Sequence, residues 1–421
     1  MSVFENDAVP IGAQDEVYAI LEDTAGTFKA PTGAKVVRVV GAGEIAQERP
    51  QIPDPQRRFQ FSRRVPKSGR FNAGTFNFPF LIKPSGTLGT APQNHDILKA
   101  AWMNYANVPS TSDTYKPLAA GSPVPTLSIY VYTGDLELIQ MAGCGIDELD
   151  VDINTSNDES GLLQLKVSGM GMRARRCGSA AVTVDLDGST DDTITVGVPA
   201  VEAFEVETRV SVVDNGVVDS HTDGLGYLIS SINYSTGVIT LARVVDTAHD
   251  ATSVAGQVWI RPWRPTAAES GDTLHGAIGQ TIANDGDADE QTIELTKLAL
   301  KIKHNIEIPN DRQHPTDLYP RKIYRTQPRD VSGEIEAYLD ATMLKFARRY
   351  REIDTDTLVA EVLNQTTGSS GSIQFYMDNV AWGQPSDSGD GLKKRTIPFM
   401  AYESSAGAED EMRMVIAAAL S

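Results

Sequence analysis

The sequence predicts a mainly β protein with short helices, in which an inserted all-β domain interrupts a β-rich core. Short runs of alternating apolar and polar residues recur between turn residues, which is typical of half-buried antiparallel strands. The excess negative charge is concentrated in one central block, and the strand pattern that precedes this block resumes after it. An abrupt change of composition indicates a separate unit inserted in a loop. We therefore divide the chain into a first core half at 1–178, an inserted acidic domain at 179–294 and a second core half at 295–421.

The charge distribution limits the classes of partner that we expect. The 421 residues include 37 Lys and Arg against 56 Asp and Glu, a formal net charge of −19. Block 179–294 has 19 acidic residues, four arginines and no lysine, so it carries −15 and the remainder only −4. Broad affinity for nucleic acid requires a basic surface, and this composition argues against it. The cysteines Cys144 and Cys177 form neither a disulfide framework nor a metal motif.

A strand, a helix and a long loop are predicted in the first core half after a series of short strands. The run GTFNFPFLIK is a strand with Phe76, Phe78 and Phe80 on one face. Residues 107–125 contain four prolines and no clear period, so we predict a long irregular loop with a function of its own. Between these elements a helix is predicted from apolar residues at helical spacing: Ile97, Leu98, Ala101, Trp102 and Tyr105.

The clearest hairpin signal lies at 146–170. In IDELDVDIN the apolar residues Leu149, Val151 and Ile153 alternate with Asp150 and Asp152, and LLQLKVSGM alternates again after a turn-like segment. Because successive side chains of a strand point to opposite faces, this pattern predicts one buried and one polar face.

The second core half shows the same alternating strand pattern. Alternation in LTKLALKIKHNIEI predicts a strand at 295–308, and DVSGEIEAYL predicts another. A helix that Asp340 caps follows, with Met343, Phe346 and Tyr350 as its apolar stripe. Three more apolar runs are predicted as strands, TLVAEVLN, SIQFYMDNVAW and LKKRTIPFMAY, and the segment EMRMVIAAAL closes the chain.

The sequence contains no convincing catalytic motif. The turn SGTLGTAP lacks the Lys-Ser/Thr of a phosphate-binding loop, and prolines follow the GAGEIA segment where a dinucleotide fold needs a helix. Two acidic segments, DVDINTSNDESG and DGDADE, lack the turn glycine of a calcium loop. No HExxH pair or G-x-S-x-G elbow is present. We therefore expect a non-enzymatic protein without cofactor or metal.

One basic and aromatic segment is a candidate contact region. RRFQFSRR at 57–64 alternates cations with phenylalanines, a combination that can clamp a nucleic acid strand. Since the chain is acidic, a strand that contacts another protein subunit is the favoured interpretation. The candidate intersubunit residues are Arg57, Arg58, Phe59, Phe61, Arg63 and Arg64.

As an ordered set, these motifs resemble the major tail tube proteins of long-tailed, siphovirus-like bacteriophages. GTFNFPFLIKPSGTLGTAPQNHDILKAAW resembles the family's strand, Gly/Ser/Pro turn and short helix. The hairpin IDELDVDIN…LLQLKVSGMG, the strand LALKIKHNIEI, the segment YPRKIYRTQPRDVSGEIEAYLD and the late strand GSSGSIQFYMDNV follow in the family's order. The resemblance covers 1–178 and 295–421 and leaves out 179–294.

The resemblance implies a structural virion protein. Such proteins are β-sandwiches whose strands join those of neighbouring copies in an intersubunit β-barrel, commonly as hexameric rings that stack into a hollow tail tube for DNA ejection. The implied partners are further copies of the chain, the tape measure and other tail proteins, and transiently the phage duplex. The implied location is the virion, after synthesis in the host cytoplasm. The inserted domain, an Ig-like or small sandwich, would then lie on the tube exterior.

Two questions remain open at this level. Asp150 and Asp152 are candidates for a carboxylate wall that faces the lumen and repels phosphate, but an outer solvated face would show the same pattern. A surface-binding β protein of the tail tip or fibre is the alternative function.

Overall fold

The computed structural model describes most of the chain, and strands dominate it. Strands account for 51% and helices for 8%, so the predicted mainly β class is confirmed. Among the described residues, no helix has the length and apolar character needed to cross a membrane. The described residues are 15–40, 44–52, 67–68, 70–85, 87–119, 121–154, 163–188, 190–251, 257–268, 277–283, 291–309, 318–352, 355–363, 372–388 and 393–418.

The described elements before the central block are twelve strands and one α-helix. They are β1 Asp15–Leu21, β2 Val36–Val37, β3 Glu44–Ala46, β4 Gln51–Ile52, β5 Lys67–Ser68, β6 Gly74–Leu81, α1 His95–Trp102, β7 Asn104–Val108, β8 Ser112–Lys116, β9 Leu127–Thr133, β10 Glu137–Asn154, β11 Gln164–Gly171 and β12 Arg173–Cys177.

The described part of the central block contributes nine strands. They are β13 Ala180–Ala181, β14 Thr193–Thr195, β15 Arg209–Asp214, β16 Val217–Asp219, β17 Tyr227–Asn233, β18 Val238–Leu241, β19 Val258–Pro262, β20 Ala277–Ala283 and β21 Gln291–Ile293. Short 3₁₀ helices lie at Gly33–Lys35 and Ala200–Ala203.

Nine strands and a second helix complete the described chain. They are β22 Leu295–Lys303, β23 Ile306–Glu307, β24 Tyr324–Arg325, β25 Asp330–Tyr338, α2 Ala341–Glu352, β26 Thr355–Leu363, β27 Ser372–Trp382, β28 Ser386–Ser388, β29 Lys394–Ala401 and β30 Arg413–Ala417.

A large antiparallel sheet contains most of the core strands. Its first part runs in the order β3, β6, β11, β10, β22, β25 and β29. β27 pairs with the end of β29 and also with β26 and β30, and these lead to β20 and to the β7–β8 hairpin. The predicted strand at 295–308 ends at Lys303, and its part 295–303 and the strand 330–338 share one sheet with the predicted hairpin, whereas Ile306–Glu307 pairs separately with Tyr324–Arg325.

The 18-residue strand β10 belongs to two sheets. Its first half pairs with β9 and β12, and β9 pairs in turn with β1, while its second half pairs with β11 and β22. The pairing shifts register between Met141 and Cys144 and again between Ile146 and Glu148. Gly143 lies at the first shift with φ of 67°, a conformation that favours glycine.

The molecule is layered. The apolar side of the large sheet packs with α1 and with one face of the β1–β9 sheet, so that Phe78, Leu149, Val17 and Ile129 lie in one buried core. The opposite face of the β1–β9 sheet, including Tyr132, forms a second core with the strands of the central block. The order of layers is therefore large sheet, first core, β1–β9 sheet, second core and central block.

The central block is linked to the core through the chain and also packs against it. Its strands β13 to β19 form a sheet of their own in the order β13, β19, β15, β17, β18 and β14, with β16 beside β15. The Tyr132 hydroxyl donates to the Trp263 carbonyl at 2.8 Å in the buried second core, and the Tyr18 hydroxyl donates to the Pro265 carbonyl at 3.1 Å. The inserted strands therefore complete a core that the β1–β9 sheet begins.

The chain returns to the large sheet before residue 294. β20 pairs with β26 over residues 277–283, and β21 pairs with β20, so both strands extend the large sheet. The last strand of the inserted sheet is β19. The change from insert to core thus falls between Pro262 and Ala277, because acidic composition continues past the point where the pairing partner changes.

The prediction of an irregular loop at 107–125 is wrong for residues 107–116. Residues 104–116 form the β7–β8 hairpin, which pairs with β30 through β8. The Tyr105 hydroxyl donates to the Asp113 carboxylate at 2.5 Å, and Ser110 adopts φ of 58° in the turn. Pro109 lies in the turn and Pro117 follows β8, so the prolines fall outside the strands where they remove no ladder bond.

We predict that the buried hydroxyl of Tyr132 stabilises the junction between insert and core. The substitution Tyr132→Phe should lower the free energy of unfolding by about 1 to 3 kcal/mol, because it leaves the Trp263 carbonyl unsatisfied in a buried site. Urea denaturation measures the change. Tyr234→Phe, which removes the bond from a half-exposed tyrosine to the Phe204 carbonyl inside the insert, is the matched control and should lower the value by less, because water can reach this site. Equal effects of the two substitutions would contradict the prediction.

Candidate functional site

The outer side of the large sheet is a continuous polar surface, here called the polar face. It consists of alternate residues of six adjacent strands, whose intervening residues lie in the first core, apart from Gly333 and Arg395. Its members are Asn77 and Pro79 on β6, Gln164, Lys166 and Ser168 on β11, Glu148, Asp150 and Asp152 on β10, Lys297, Ala299, Lys301 and Lys303 on β22, Ser332, Glu334 and Glu336 on β25, and Lys394, Thr396, Pro398 and Met400 on β29.

The polar face is concave. A shallow depression of about 760 Å³ lies at its centre. One cross-strand row passes through this depression, from Pro79 through Lys166, Asp150, Lys301 and Ser332 to Met400. The row is charged in the middle and less polar at both ends. The depression is therefore a trough in a sheet and differs from the enclosed apolar cavity that usually holds a small ligand.

Lysines and carboxylates alternate across the strands of the polar face. Lys301 Nζ lies 3.1 Å from Glu148 Oε2 and 3.9 Å from Asp150 Oδ1, and Lys303 Nζ lies 3.4 Å from Glu148 Oε1. On the other side of β22, Lys297 Nζ lies 2.6 Å from the Glu334 carboxylate. A further pair at 2.9 Å joins Lys394 to Glu336. The charges therefore compensate one another within the sheet.

Neighbouring carboxylates on this face have opposite pKa shifts. Burial raises the pKa of Glu148, but hydrogen bonds from Lys301 and Lys303 outweigh that effect and leave the pKa below its usual range. Partial burial raises the pKa of Asp150, and the attraction of Lys301 does not cancel this effect. The hydrogen bond with Glu148 raises the pKa of Lys301. Glu148 is therefore the better satisfied anion of the two.

The structure places Asp150 and Asp152 on one exposed face, as the alternation predicts. Leu149, Val151 and Ile153 are buried on the other side of the strand, which confirms the two-faced interpretation of the hairpin. A wall made of carboxylates alone is wrong, however. Asp150 stands directly between Lys166 on β11 and Lys301 on β22 in the register of the sheet.

The candidate intersubunit residues of 57–64 are not placed by the structure. Arg57, Arg58, Phe59, Phe61, Arg63 and Arg64 lie outside the described residues. Their role stays a prediction.

Sequence reasoning missed the lysines of β22 as part of the candidate site. The alternation of Lys297, Lys301 and Lys303 with leucines is visible in the sequence and predicts that they share a face. The alternation does not predict which strand pairs with β22. The partner is β10, about 150 residues earlier in the chain, and only the folded sheet brings Glu148 to these lysines.

No protein-family model matches the chain, and no curated protein matches it at a significant level.

We predict that Glu148 and Asp150 affect stability with opposite signs. Glu148→Gln should lower the free energy of unfolding at pH 7 by about 0.5 to 1 kcal/mol. Because the folded pKa of Glu148 is lowered, its contribution is present above the unfolded pKa and is lost as the pH falls towards 3. The folded pKa of Asp150 is raised, so its ionisation opposes folding at neutral pH, and Asp150→Asn should leave stability unchanged or raise it.

Urea denaturation of both variants at pH 7 and pH 3 tests this pair. The decrease in the free energy of unfolding caused by Glu148→Gln should be smaller at pH 3 than at pH 7. A loss in Asp150→Asn as large as that in Glu148→Gln at pH 7 would contradict the assignment.

Proposed function

We propose that this chain is a structural subunit of the tail tube of a long-tailed bacteriophage, and that it polymerises as stacked, hexameric rings around a lumen through which DNA is ejected. The observation that carries the proposal is the polar face. It is a wide, concave and charge-compensated surface backed by a continuous apolar core, which suits the inner wall of a channel. The order of elements that resembles the tail tube family supports the same conclusion.

Charge compensation is the property that a DNA channel requires. A duplex carries one negative charge per roughly 1.7 Å of axis, and a wall of free cations would bind it tightly through counterion release. On the polar face, Lys297, Lys301, Lys303 and Lys394 already lie within 4 Å of a carboxylate. A passing phosphate would have to displace a carboxylate that is held in place by the sheet. The wall would therefore guide the duplex without retaining it.

The layer order supports an outward position for the insert. The polar face and the insert lie on opposite sides of the molecule, separated by two sheets and two cores. If the polar face lines a lumen, the insert projects from the exterior of the tube. Its acidic composition would there keep neighbouring tubes apart in solution.

Strand edges give a basis for assembly. Within the described chain, β3 pairs only with β6 and β7 pairs only with β8. Exposed edge strands are templates for pairing with another chain, and closure of a barrel across copies removes them. Val108, at the end of β7, is 52% exposed and would be covered by such a contact.

We predict that the purified chain forms rings or tubes. Negative-stain electron microscopy should show annular particles or stacked filaments with an axial channel, and sedimentation should give species much larger than the 45.5 kDa chain. A population that stays monomeric at high concentration and moderate salt would overturn the proposal. The matched variant is Val108→Asp, which puts a charge on the β7 edge and should reduce assembly while leaving the circular dichroism spectrum unchanged.

We also predict that reversing the charge of the polar face creates DNA affinity. Asp150→Lys combined with Asp152→Lys adds two cations beside Lys166 and Lys301, so the assembled variant should bind duplex with a steep salt dependence. The unsubstituted protein should bind little. The control places the same two charges on the exterior, with Asp187→Lys and Asp192→Lys in the insert.

A gel-shift titration between 50 and 200 mM salt measures the effect, where about ten-fold loss of affinity or more is expected across that range. Equal DNA binding by the polar-face and exterior variants would contradict a lumenal position. In an infectious particle, tubes that assemble but deliver DNA poorly would support it.

A further inference from the structure

Between β22 and β25 the chain leaves the large sheet and returns to it. The described parts of this excursion, residues 304–309 and 318–329, are here called the strap, and they include the paired strands β23 and β24. The first and last residues of the strap are hydrogen-bonded to each other, because Arg329 Nε donates to His304 Nδ1 at 3.3 Å. Next to them, Asn305 Nδ2 donates to the Pro328 carbonyl at 2.7 Å. Side chains therefore close the base of the strap.

His304 is held in a single neutral form by this arrangement. Its side chain is buried, and Nε2–H donates to the carbonyl of Ala101 in the last turn of α1 at 2.6 Å. Arg329 can only donate, so Nδ1 of His304 must accept. One imidazole thus joins the base of the strap to the end of α1, and it can do so only while uncharged.

The charged groups around the ring do not favour protonation. Arg329 is the charge in direct contact, and its Nη1 donates to Glu411 at 2.8 Å while Nη2 lies 3.8 Å from Glu409. Arg325 Nη2 lies 3.7 Å from the same Glu409. Two further carboxylates accept from the strap itself: Asp147 from the Ile306 N–H at 2.7 Å, and Asp330 from Asn305 at 3.1 Å. Burial lowers the pKa of His304 to about 3, and the positive charge of Arg329 contributes.

We propose that the strap is an acid-released latch, which opens when His304 takes up a proton while the large sheet remains folded. Protonation converts Nδ1 from an acceptor into a donor that faces the Arg329 donor, so the bond at the base is lost and two cations face each other. In the opened strap the imidazole meets water and has an ordinary pKa near 6.5. The equilibrium constant for opening therefore rises about 25-fold between pH 7.0 and pH 5.0.

Within the described chain, β23 and β24 pair only with each other, so no strand ladder joins the strap to the large sheet, although the strap residues Ile306 and Ile308 are buried. The Phe71 N–H donates to the Leu318 carbonyl at 3.1 Å, and the Tyr319 ring stacks on Phe71 at 4.8 Å. The Arg175 guanidinium covers the Tyr319 ring at 4.8 Å from its centroid. In contrast, β22 and β25 are joined by eight cross-strand pairs. Supersecondary units outside the main ladder can open before the global transition, and release of the strap would uncover Phe71 and Arg175.

The latch can be tested by hydrogen exchange at pH 7.0 and pH 5.0, with rates corrected for the intrinsic pH dependence of exchange. The amides of Ile306 and Thr326, bonded to Asp147 and Asn305, report on the strap, and the amides of the β10–β11 hairpin report on the sheet. Strap amides should show opening that is about 25-fold more populated at pH 5.0 than at pH 7.0, and hairpin amides should not.

His304→Gln is the decisive variant, because a carboxamide can still donate to Ala101 and accept from Arg329 but does not titrate. Its strap should exchange equally at both pH values. His221→Gln in the insert is the matched control and should keep the response of the unsubstituted protein. Acid-induced opening that persists in His304→Gln would overturn the proposal. If His304→Gln does not fold, the unsubstituted protein still decides: parallel acceleration in strap and hairpin, or none in either, would also overturn it.

Discussion

The rest of the structure depends on the two-faced character of β10 and its neighbours. A slip of one residue in this part of the sheet would bury Glu148 and Asp150 and expose Leu149 and Val151. The free energy needed to bury an unpaired carboxylate is far larger than the stabilisation from any single cross-strand contact, so the register is fixed. Because β10 continues into the β1–β9 sheet, the same register also sets how the two sheets face each other across the first core.

The charge pairs of the polar face have a different role from the core. Each one is partly exposed and is worth at most about 1 kcal/mol, so the pairs contribute little to overall stability. Their effect lies in what the surface offers to a partner. Lysines that hold neighbouring carboxylates present a hydrated surface with little net potential. A polar surface of this kind can border a polyanion without binding it, which is the physical basis of the proposed channel.

The insert is less independent than its composition indicates. Its acidic residues stand apart in the sequence, but its apolar residues share a core with Tyr18, Tyr130 and Tyr132 of the β1–β9 sheet. Charge is a surface property and marks where composition changes, whereas cooperative folding follows buried contacts. For that reason the composition boundary at 294 and the change of pairing partner before Ala277 do not coincide.

Local patterns predicted the elements with a clear period. The hairpin of β10 and β11, the strands β22 and β25, and the helix capped by Asp340, whose carboxylate accepts from the Met343 N–H at 2.8 Å, follow from alternation or helical spacing. The β7–β8 hairpin did not, because its strands are short and flanked by prolines. The helical spacing predicts Tyr105 in the preceding helix, but that helix ends at Trp102 and is followed by Met103 in a left-handed conformation.

By itself, the sequence determined which side of each strand is buried, because the side-chain period of a strand is a local property that burial of apolar residues selects. It determined neither the neighbour of any distant strand nor the partner of any charge. Lys301 meets Glu148 and His304 meets Ala101 across more than 150 residues of sequence. Only the tertiary structure decided these contacts, because they depend on how whole sheets pack to bury two cores at once.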